Sequence, residues 1–422
     1  MERPLTKNFK PDAEPPPDRQ EYERGGGYQA LRHALSRMTP GEVVQRVKDA
    51  NLLRRGGAGF SAGMKWSLMP DNPRPKYLIA NADEMEPGAF KDRFLIEHDP
   101  HQLIEGMIVA SYAVQAEVAY IFIRGEYVKG IELLQRAIGE ARSAGYLGKN
   151  ILGSGFSLDL HLHSSAGRYI CGEETALLNS LEGKPANPRA KPPYPPVAGL
   201  WGKPTAVNNV ETLCNVPHIV NNGAEWFRQL SRTGEGGTKI YGVSGRVKRP
   251  GAWELPLGTT LRELIEEHAG GMQEGYAFRA ALPGGASTDF VLPEHLDVPM
   301  DFASMRSTGS RLGTGTAIIL DDRTCPVGFL ASIESFFARE SCGWCTPCRE
   351  GLPWVYRILA AIEEGRGEPA DLELLLHHAR FLGAPGNTFC ALAPGAVAPL
   401  GSGLRYFRED FERHLGRTCM RS

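Results

Sequence analysis

The sequence predicts an α/β domain, a small α+β module and a helical C-terminal region, in that order. Three observations predict it. Strand and helix patterns alternate from Lys76 to about residue 223, short strands with hairpin signals take over near Lys239, and no convincing strand follows Val327. The 422 residues suit two or three packed domains and are enough to bury a core without disulfides or metals. Glycine, at 49 residues, is about 12% of the chain against a usual ~7%, and it is not periodic. Collagen and wholesale disorder are therefore excluded, and many special backbone conformations are needed.

The elements follow in order. Residues 1 to about 26, with Pro15-Pro16-Pro17 and Gly25-Gly26-Gly27, read as an extended arm laid over a surface. Thr39-Pro40-Gly41-Glu42 starts a helix: Thr39 caps it, Pro40 suits the first position and Glu42 closes a capping box. Tyr77 to Ile79 is a short buried strand, residues 100 to 116 a helix, and Val118 to Ile123 a strand. Glu126 to Ala144 is a helix stopped by Gly145, and residues 158 to 163 alternate as a strand. Such alternation implies a substantially parallel sheet. Beyond it, Lys239 to Gly245 and Ala252 to Leu257 are strands, and Thr260-Leu261-Arg262-Glu263 opens a capped helix ended by Gly270-Gly271. Strands near Phe278 to Leu282 and Ala317 to Leu320 complete a module of β-grasp type.

Charge narrows the function. Forty-seven basic residues against 49 acidic ones leave no basic field, which argues against nucleic acid as a principal partner. The apolar run from Leu103 to Ile123 is interrupted by Glu105, Gln115 and Glu117, so it reads as a helix feeding a strand rather than a membrane span. Met1 to Asp12 lacks the apolar core of a signal peptide and the Arg/Ser-rich character of a transit peptide. A soluble, cytoplasmic protein is expected.

The most specific chemical feature is Cys342-Gly343-Trp344-Cys345-Thr346-Pro347-Cys348, followed by Cys390. Three thiolates on one tight loop can grip three corners of a compact cluster, and a remote fourth closes the cage, which is the ligand logic of a [4Fe–4S] centre. A single Zn²⁺ would also accept four thiolates, although structural zinc usually pairs two separated C-x-x-C knuckles. Cys171, Cys214, Cys325 and Cys419 stand alone and read as bystander thiols.

Four further motifs offer polar groups. Arg55-Gly56-Gly57-Ala58-Gly59-Phe60, continuing to Lys65-Trp66, lets backbone N–H groups approach an anion, or is an ordinary tight turn. It matches neither a Walker loop nor the Rossmann fingerprint. Asn81-Ala82-Asp83-Glu84-Met85-Glu86-Pro87-Gly88 follows the Tyr77 strand, where α/β sheets bind ligands; a solvated acidic turn or a Mg²⁺ or Ca²⁺ site is the other reading. Gly172-Glu173-Glu174-Thr175 and Asn208-Asn209-Val210-Glu211-Thr212 each open a helix. Together these amides, carboxylates and N–H groups suit a large polar heterocycle bearing a phosphate and a ribityl chain.

On these motifs, with Gly63, Lys91-Asp92-Arg93, Arg124-Gly125-Glu126-Tyr127, Tyr169 to Thr175 and Glu340 to Gly351, the sequence resembles the 51 kDa NADH-oxidising flavoprotein family of respiratory complex I (NADH-quinone oxidoreductase). The resemblance runs from about Thr39 to Phe411. It implies an α/β FMN-binding domain with a ubiquitin-like β-grasp module and a C-terminal all-α iron–sulfur bundle. The corresponding boundaries are 1–38 for the arm and a helix, 39–238 for FMN and NADH, 239–324 for the SLBB-like β-grasp, and 325–422 for the cluster domain. The implied activity is hydride transfer from NADH to FMN, then single-electron transfer to a [4Fe–4S] cluster and onward towards quinone. Diaphorase subunits of NAD-reducing hydrogenases and NAD-dependent formate dehydrogenases share the family and are the alternative. They often carry an extra N-terminal domain, and the early start of the shared region here favours the complex I member.

By the same resemblance, Arg55, Gly56, Gly57, Lys65, Asn81, Asp83, Glu84, Gly172, Glu173, Asn208, Asn209 and Thr212 surround the flavin. Phe60, Lys65, Glu86, Glu174 and Tyr194 hold the dinucleotide, with Lys65, Glu86 and Glu174 nearest the chemistry and Glu174 disfavouring a 2′-phosphate. Cys342, Cys345, Cys348 and Cys390 carry the cluster. The implied partners are two other subunits of complex I, one a thioredoxin-fold [2Fe–2S] protein and one a larger iron–sulfur protein. Membrane contact is implied only through the complex, at the inner face of the cell membrane. The family pattern has Gly where Arg54 stands; if that position needs a positive φ, Arg54 costs about 1–2 kcal/mol.

Overall fold

The computed structural model describes residues 2–10, 14–57 and 59–417. The chain divides into two compact units. One comprises Met1–Met85, Phe90–Tyr241 and Ala252–Thr259, the other Glu86–Ala89, Gly242–Gly251 and Thr260–Ser422.

The first unit is built on a parallel sheet of β1 (Tyr77–Ala82), β2 (Val118–Ile123), β3 (Asp159–Ser164) and β4 (Thr205–Asn209), ordered β3-β2-β1-β4. Leu78, Ile79 and Ala80 of β1 are fully buried, as an interior parallel strand covered on both faces requires. The first three strands lie where the sequence pattern puts them. β4 is not predicted by that pattern, because five residues behind a Pro-rich stretch are too few to show a period.

Strand order reverses beside β1. The chain steps outward from β1 through β2 to β3, then returns to the other side of β1 as β4. Crevices at the C-terminal ends of strands flanking such a switch point are the usual ligand sites of α/β sheets. Asn81 of β1 and Asn209 of β4 are register partners at that end.

The helices Pro100–Val114 and Val210–Asn222 are buried along most of their lengths. They pack backbone to backbone at Gly106, where a Cβ would stand 2.2 Å from the Leu213 carbonyl oxygen. The apolar run from Leu103 thus divides into a helix ending at Val114 and strand β2. Among the described residues, no helix is long and apolar enough to cross a membrane.

The N-terminal segment departs from the extended reading. Arg19–Arg24 is helical because Asp18 and Glu21 form a capping box that the Pro- and Gly-rich flanks obscure. The Tyr22 hydroxyl donates to Glu105 at 2.7 Å, and the Leu5 N–H donates to Glu254 at 3.0 Å. Both residues are buried, so the segment is packed into the unit. The helix Pro40–Asp49 starts as its sequence signal requires, with Thr39 accepting from the Glu42 N–H.

A second, mixed sheet contains β5 (Thr238–Ser244), β6 (Gly251–Pro256), β7 (Phe278–Leu282) and β8 (Thr316–Asp321), ordered β6-β5-β8-β7. β5 runs parallel to β8, and β7 antiparallel to it. The helix signalled at Thr260 has its capping box but is short: Leu261–Glu263 passes into a single π-helical turn, Leu264–His268. After β8 come the helices Pro326–Glu340, Thr346–Glu363, Pro369–Gly383, Leu392–Tyr406 and Arg408–His414.

Candidate functional site

The crevice between β1 and β4 collects most of the polar residues singled out in the sequence. Asn81 Oδ1 accepts from the Asp83 N–H at 3.1 Å, and its amide approaches the Gly172 carbonyl at 3.4 Å. Asp83 accepts from the Ser165 hydroxyl at 2.8 Å, at the end of β3. Asn208 Oδ1 accepts from the Trp66 indole at 3.3 Å, while its buried Nδ2 has no hydrogen-bond partner. Asn209 caps the helix Val210–Asn222 by accepting from the Glu211 N–H at 3.1 Å, and its amide donates to Asp92 at 2.6 Å.

The glycine loop is anchored from below. The Arg55 N–H donates to the Thr212 hydroxyl at 2.9 Å, and the fully buried guanidinium donates to the carbonyls of Gly236 and Thr238 at 2.7 and 3.1 Å. Arg55 is thus a strut whose backbone, and not its side chain, serves the loop. Gly57 takes φ +120° with open space where a Cβ would be, and a Cβ on Gly172 would likewise meet nothing. Arg54 has a negative φ, so no left-handed strain arises there. Ala58 lies outside the described residues.

Lys65, Glu174 and their neighbours form a charged cluster. Lys65 Nζ donates to Glu174 Oε2 at 2.5 Å and to the Val207 carbonyl at 3.0 Å. Burial pulls Lys65 down to about 8, and Arg54 adds to this while Glu174 opposes it. Burial acts to raise Glu174, but Lys65, Arg54 and Lys191 outweigh it and hold the carboxyl below its ordinary value. Glu173 caps the helix Glu174–Leu181 through the Thr175 and Ala176 N–H groups, both at 2.9 Å, and binds Lys191 at 2.6 Å. Phe60 and Tyr194 are half-exposed aromatic surfaces in the same unit.

Glu84 is not presented as an open carboxylate. It caps the helix Lys91–His98, accepting from the Asp92 and Arg93 N–H groups at 3.0 Å and from the Tyr127 hydroxyl at 3.2 Å. Burial, and then Asp92, raise its pKa to about 7. Arg124 Nη1 donates to the Glu84 carbonyl at 3.2 Å, which accounts for the Arg124 to Tyr127 motif. Glu86 belongs to the other unit, where it accepts from the Ser287 N–H at 2.6 Å.

Sequence reasoning missed the buried charges beneath this site. Lys91 Nζ lies 2.7 Å from Asp92 and 3.0 Å from Glu211, and Lys239 Nζ lies 3.1 Å from the same Glu211 oxygen. The other Glu211 oxygen accepts from the Ile240 N–H at 2.9 Å. The available signal was a lysine at the head of an otherwise apolar strand, Lys239 to Val243.

In the second unit, Cys345 is the N-cap of the helix Thr346–Glu363 and Cys348 lies in its first turn. Gly343 turns the loop at φ +74°, and its carbonyl accepts from Arg349 at 2.9 Å. Burial pushes the Cys348 thiol up to about 12; Cys345, Cys390 and Cys342 act in the same direction, and a hydrogen bond with Ser341 opposes it. The other three sulfurs thus lie within electrostatic reach of Cys348. Of the other four cysteines, Cys171, Cys214 and Cys325 are buried, and Cys419 lies outside the described residues.

Comparison with known proteins places relatives along most of the chain. Residues 47–218 match the Nuo51 FMN-binding domain family, residues 240–291 the SLBB domain, and residues 328–414 the NADH-ubiquinone oxidoreductase-F iron–sulfur binding region. The F subunit of the NADH-quinone oxidoreductase of Salmonella typhimurium is 57% identical over 97% of this chain and 92% of its own length. The second F subunit of the Rhizobium meliloti oxidoreductase is 54% identical over 94% of each chain. Among solved structures, a chain of an NAD⁺-reducing [NiFe]-hydrogenase in the H₂-reduced state superposes with a TM-score of 0.84 at 36% identity. That match covers 92% of this chain and 64% of the hydrogenase chain.

Proposed function

From the premise that this chain belongs to the family of NADH-quinone oxidoreductase F subunits, we propose that it is the NADH-oxidising flavoprotein subunit of a respiratory complex I. Its cofactors are FMN and a [4Fe–4S] cluster, and its substrate is NADH. The observation that carries the reading is the switch-point crevice. It offers open glycines at 57 and 172 and, at Asn208 Nδ2, a buried donor with no protein acceptor, which suits a polar heterocycle.

When bound, FMN would supply a hydride acceptor that can give up electrons singly, and the cluster a one-electron acceptor. The protein's residues orient and tune. The backbone of Arg55 to Gly57, with Asn81, Asp83, Gly172, Asn208, Asn209 and Thr212, would hold the flavin, and Glu84 and Glu173 would act through the helices they cap. Phe60 and Tyr194 would offer faces to the adenine, and Lys65 and Glu174 would bind the rest of the dinucleotide. Cys342, Cys345, Cys348 and Cys390 would hold the cluster, with Cys345 fixed at the N-cap of the helix Thr346–Glu363. No side-chain acid or base is required for hydride transfer between two cofactors.

The finer architecture belongs to the same proposal. Residues 39–238 form the FMN and NADH domain, 239–324 a ubiquitin-like β-grasp and 325–422 an all-α cluster domain, which the three family matches support. Membership of a multi-subunit enzyme implies partner subunits. We assign these as a thioredoxin-fold [2Fe–2S] protein and a larger iron–sulfur protein, with the chain attached to the inner face of the cell membrane through the complex.

A visible spectrum tests the reading. The purified protein is expected to show flavin bands over broad iron–sulfur absorption, both bleached by NADH, and a colourless protein would contradict it. The hydrogenase likeness keeps a diaphorase as the second reading, and the subunits that co-purify separate the two.

Glu174 gives a sharper expectation. A carboxylate beside the adenosine ribose repels a 2′-phosphate, and removing it leaves the cationic Arg54 nearby. Glu174→Ala should raise the NADPH-to-NADH ratio of kcat/KM by on the order of tenfold, or about 1.4 kcal/mol. An unchanged ratio in steady-state kinetics sinks that assignment.

A further inference from the structure

We propose that Cys325, Glu363 and His414 form a binding site for one divalent transition ion of the zinc class. The three side chains come from three helices. Cys325 caps Pro326–Glu340, Glu363 ends Thr346–Glu363, and His414 ends Arg408–His414. Cys325 Sγ lies 3.2 Å from His414 Nε2 and 3.6 Å from Glu363 Oε2, and Nε2 lies 3.7 Å from Oε2. Zinc bonds of ~2.3 Å to sulfur and ~2.0–2.2 Å to nitrogen and oxygen put tetrahedral ligand atoms roughly 3.3–3.6 Å apart. The triangle has the dimensions of one face of that tetrahedron.

The protonation pattern agrees. His414 Nδ1 lies 2.6 Å from the Asp410 carbonyl, which can only accept, so the neutral ring carries its lone pair at Nε2. A metal-ligating histidine is held in this way, its other nitrogen donating to a backbone carbonyl. The Gly328 N–H donates to Cys325 Sγ at 3.4 Å, which fixes the sulfur at the N-cap of a 15-residue helix. Cys325 Sγ lies within hydrogen-bond reach of both His414 Nε2 and Glu363 Oε2. One cation satisfies all three groups.

Access and a fourth ligand are provided by a cleft of about 750 Å³ lined by Cys325, Glu363, Arg246, Tyr276, Asp321 and Arg323. Its cations are engaged elsewhere: Arg246 lies 3.5 Å from Asp321, and both guanidiniums sit over the Tyr276 ring. A water entering from the cleft completes the tetrahedron. The site is distinct from the four cluster cysteines, because the helix Thr346–Glu363 starts at the cluster loop and reaches this triad about 27 Å further along its axis. The ion staples three C-terminal helices together at the end of that helix and masks the Cys325 thiol.

The test is metal retention by the holoprotein. After equilibration with excess Zn²⁺ and desalting, it should keep one zinc per chain in addition to its iron. Cys325→Ala and His414→Ala should each cut retained zinc by on the order of tenfold or more with iron unchanged. Equal retention by both variants overturns the proposal. A second measurement needs no variant: micromolar Zn²⁺ should slow N-ethylmaleimide alkylation of Cys325, read by peptide mass spectrometry, by about tenfold or more. An unchanged rate overturns the proposal equally.

Discussion

Cys345→Ser is expected to strip the cluster from the protein, lowering bound iron from about four atoms per chain to less than about one. The reason lies in the charge balance of the loop. Burial, with the neighbouring thiols acting in the same direction, pushes Cys348 up to about 12, so ionising it as a ligand needs the positive charge that iron would supply. Removing one thiolate from the helix N-cap takes away a corner of that cage, and a serine hydroxyl is too weak an acid and too hard a ligand to replace it. NADH oxidation by a small artificial acceptor should stay within about twofold, because the crevice of the first unit is untouched. Quinone reduction by the assembled complex should fall by on the order of a hundredfold or more, since single electrons lose their first acceptor. Full retention of iron by the variant would refute the ligand assignment.

Glu211→Gln should cost about 3–5 kcal/mol of stability, the usual consequence of breaking a buried ion pair from one side. Glu211 is fully buried, and one of its oxygens serves both Lys91 and Lys239. Its carboxyl is held below the ordinary value although burial opposes ionisation, because Lys239, Lys91 and Arg55 surround it. Gln keeps the shape and leaves Lys91 to Asp92 and Glu84, and Lys239 without its paired carboxylate. The pH dependence has a definite sign. Burial already pulls Lys239 down to about 8, with Glu211 opposing, and losing that anion lowers it further. Between the lowered native pKa and the unfolded value of about 10.4, the unfolded state binds more protons, so stability rises with pH. The deficit of the variant should therefore shrink from roughly pH 7 to pH 9. Urea unfolding at the two pH values checks this, and a deficit that grows with pH contradicts the network. Lys239→Met in the same background should restore part of the loss, because it removes one uncompensated charge.

Much of the fold was legible because its signals are local. The capping boxes at Thr39 and Thr260, the buried strands at Tyr77 and Val118, and the Gly145 helix stop depend on residues within a few positions of each other. The short helix at Arg19 was hidden because proline and glycine tracts flank its capping box. β4 was hidden because five residues carry no measurable period and its partner, β1, is more than a hundred positions away. The same divide separates the site residues. Asn81 stood out at the end of a predicted strand, and Asn208 and Asn209 as an amide-rich helix start, whereas the Glu211 pairing left only the lysine at the head of the Lys239 strand as a local sign and nothing that named its partners.

The sequence by itself determined the order of the elements, the spacing of the four-cysteine motif and the family, since spacing and motif identity are properties of the chain. Only the tertiary structure decided what each polar group does. It made Arg55 a buried strut and Glu84 a helix cap, tied Glu174 to Lys65, and relieved Arg54 of the strain expected from a replaced glycine. It also drew Cys325, Glu363 and His414, separated by tens of positions, into one triangle. The physical reason is that a side chain's charge state and partners depend on what surrounds it in space, and in a packed core those neighbours come from distant parts of the chain.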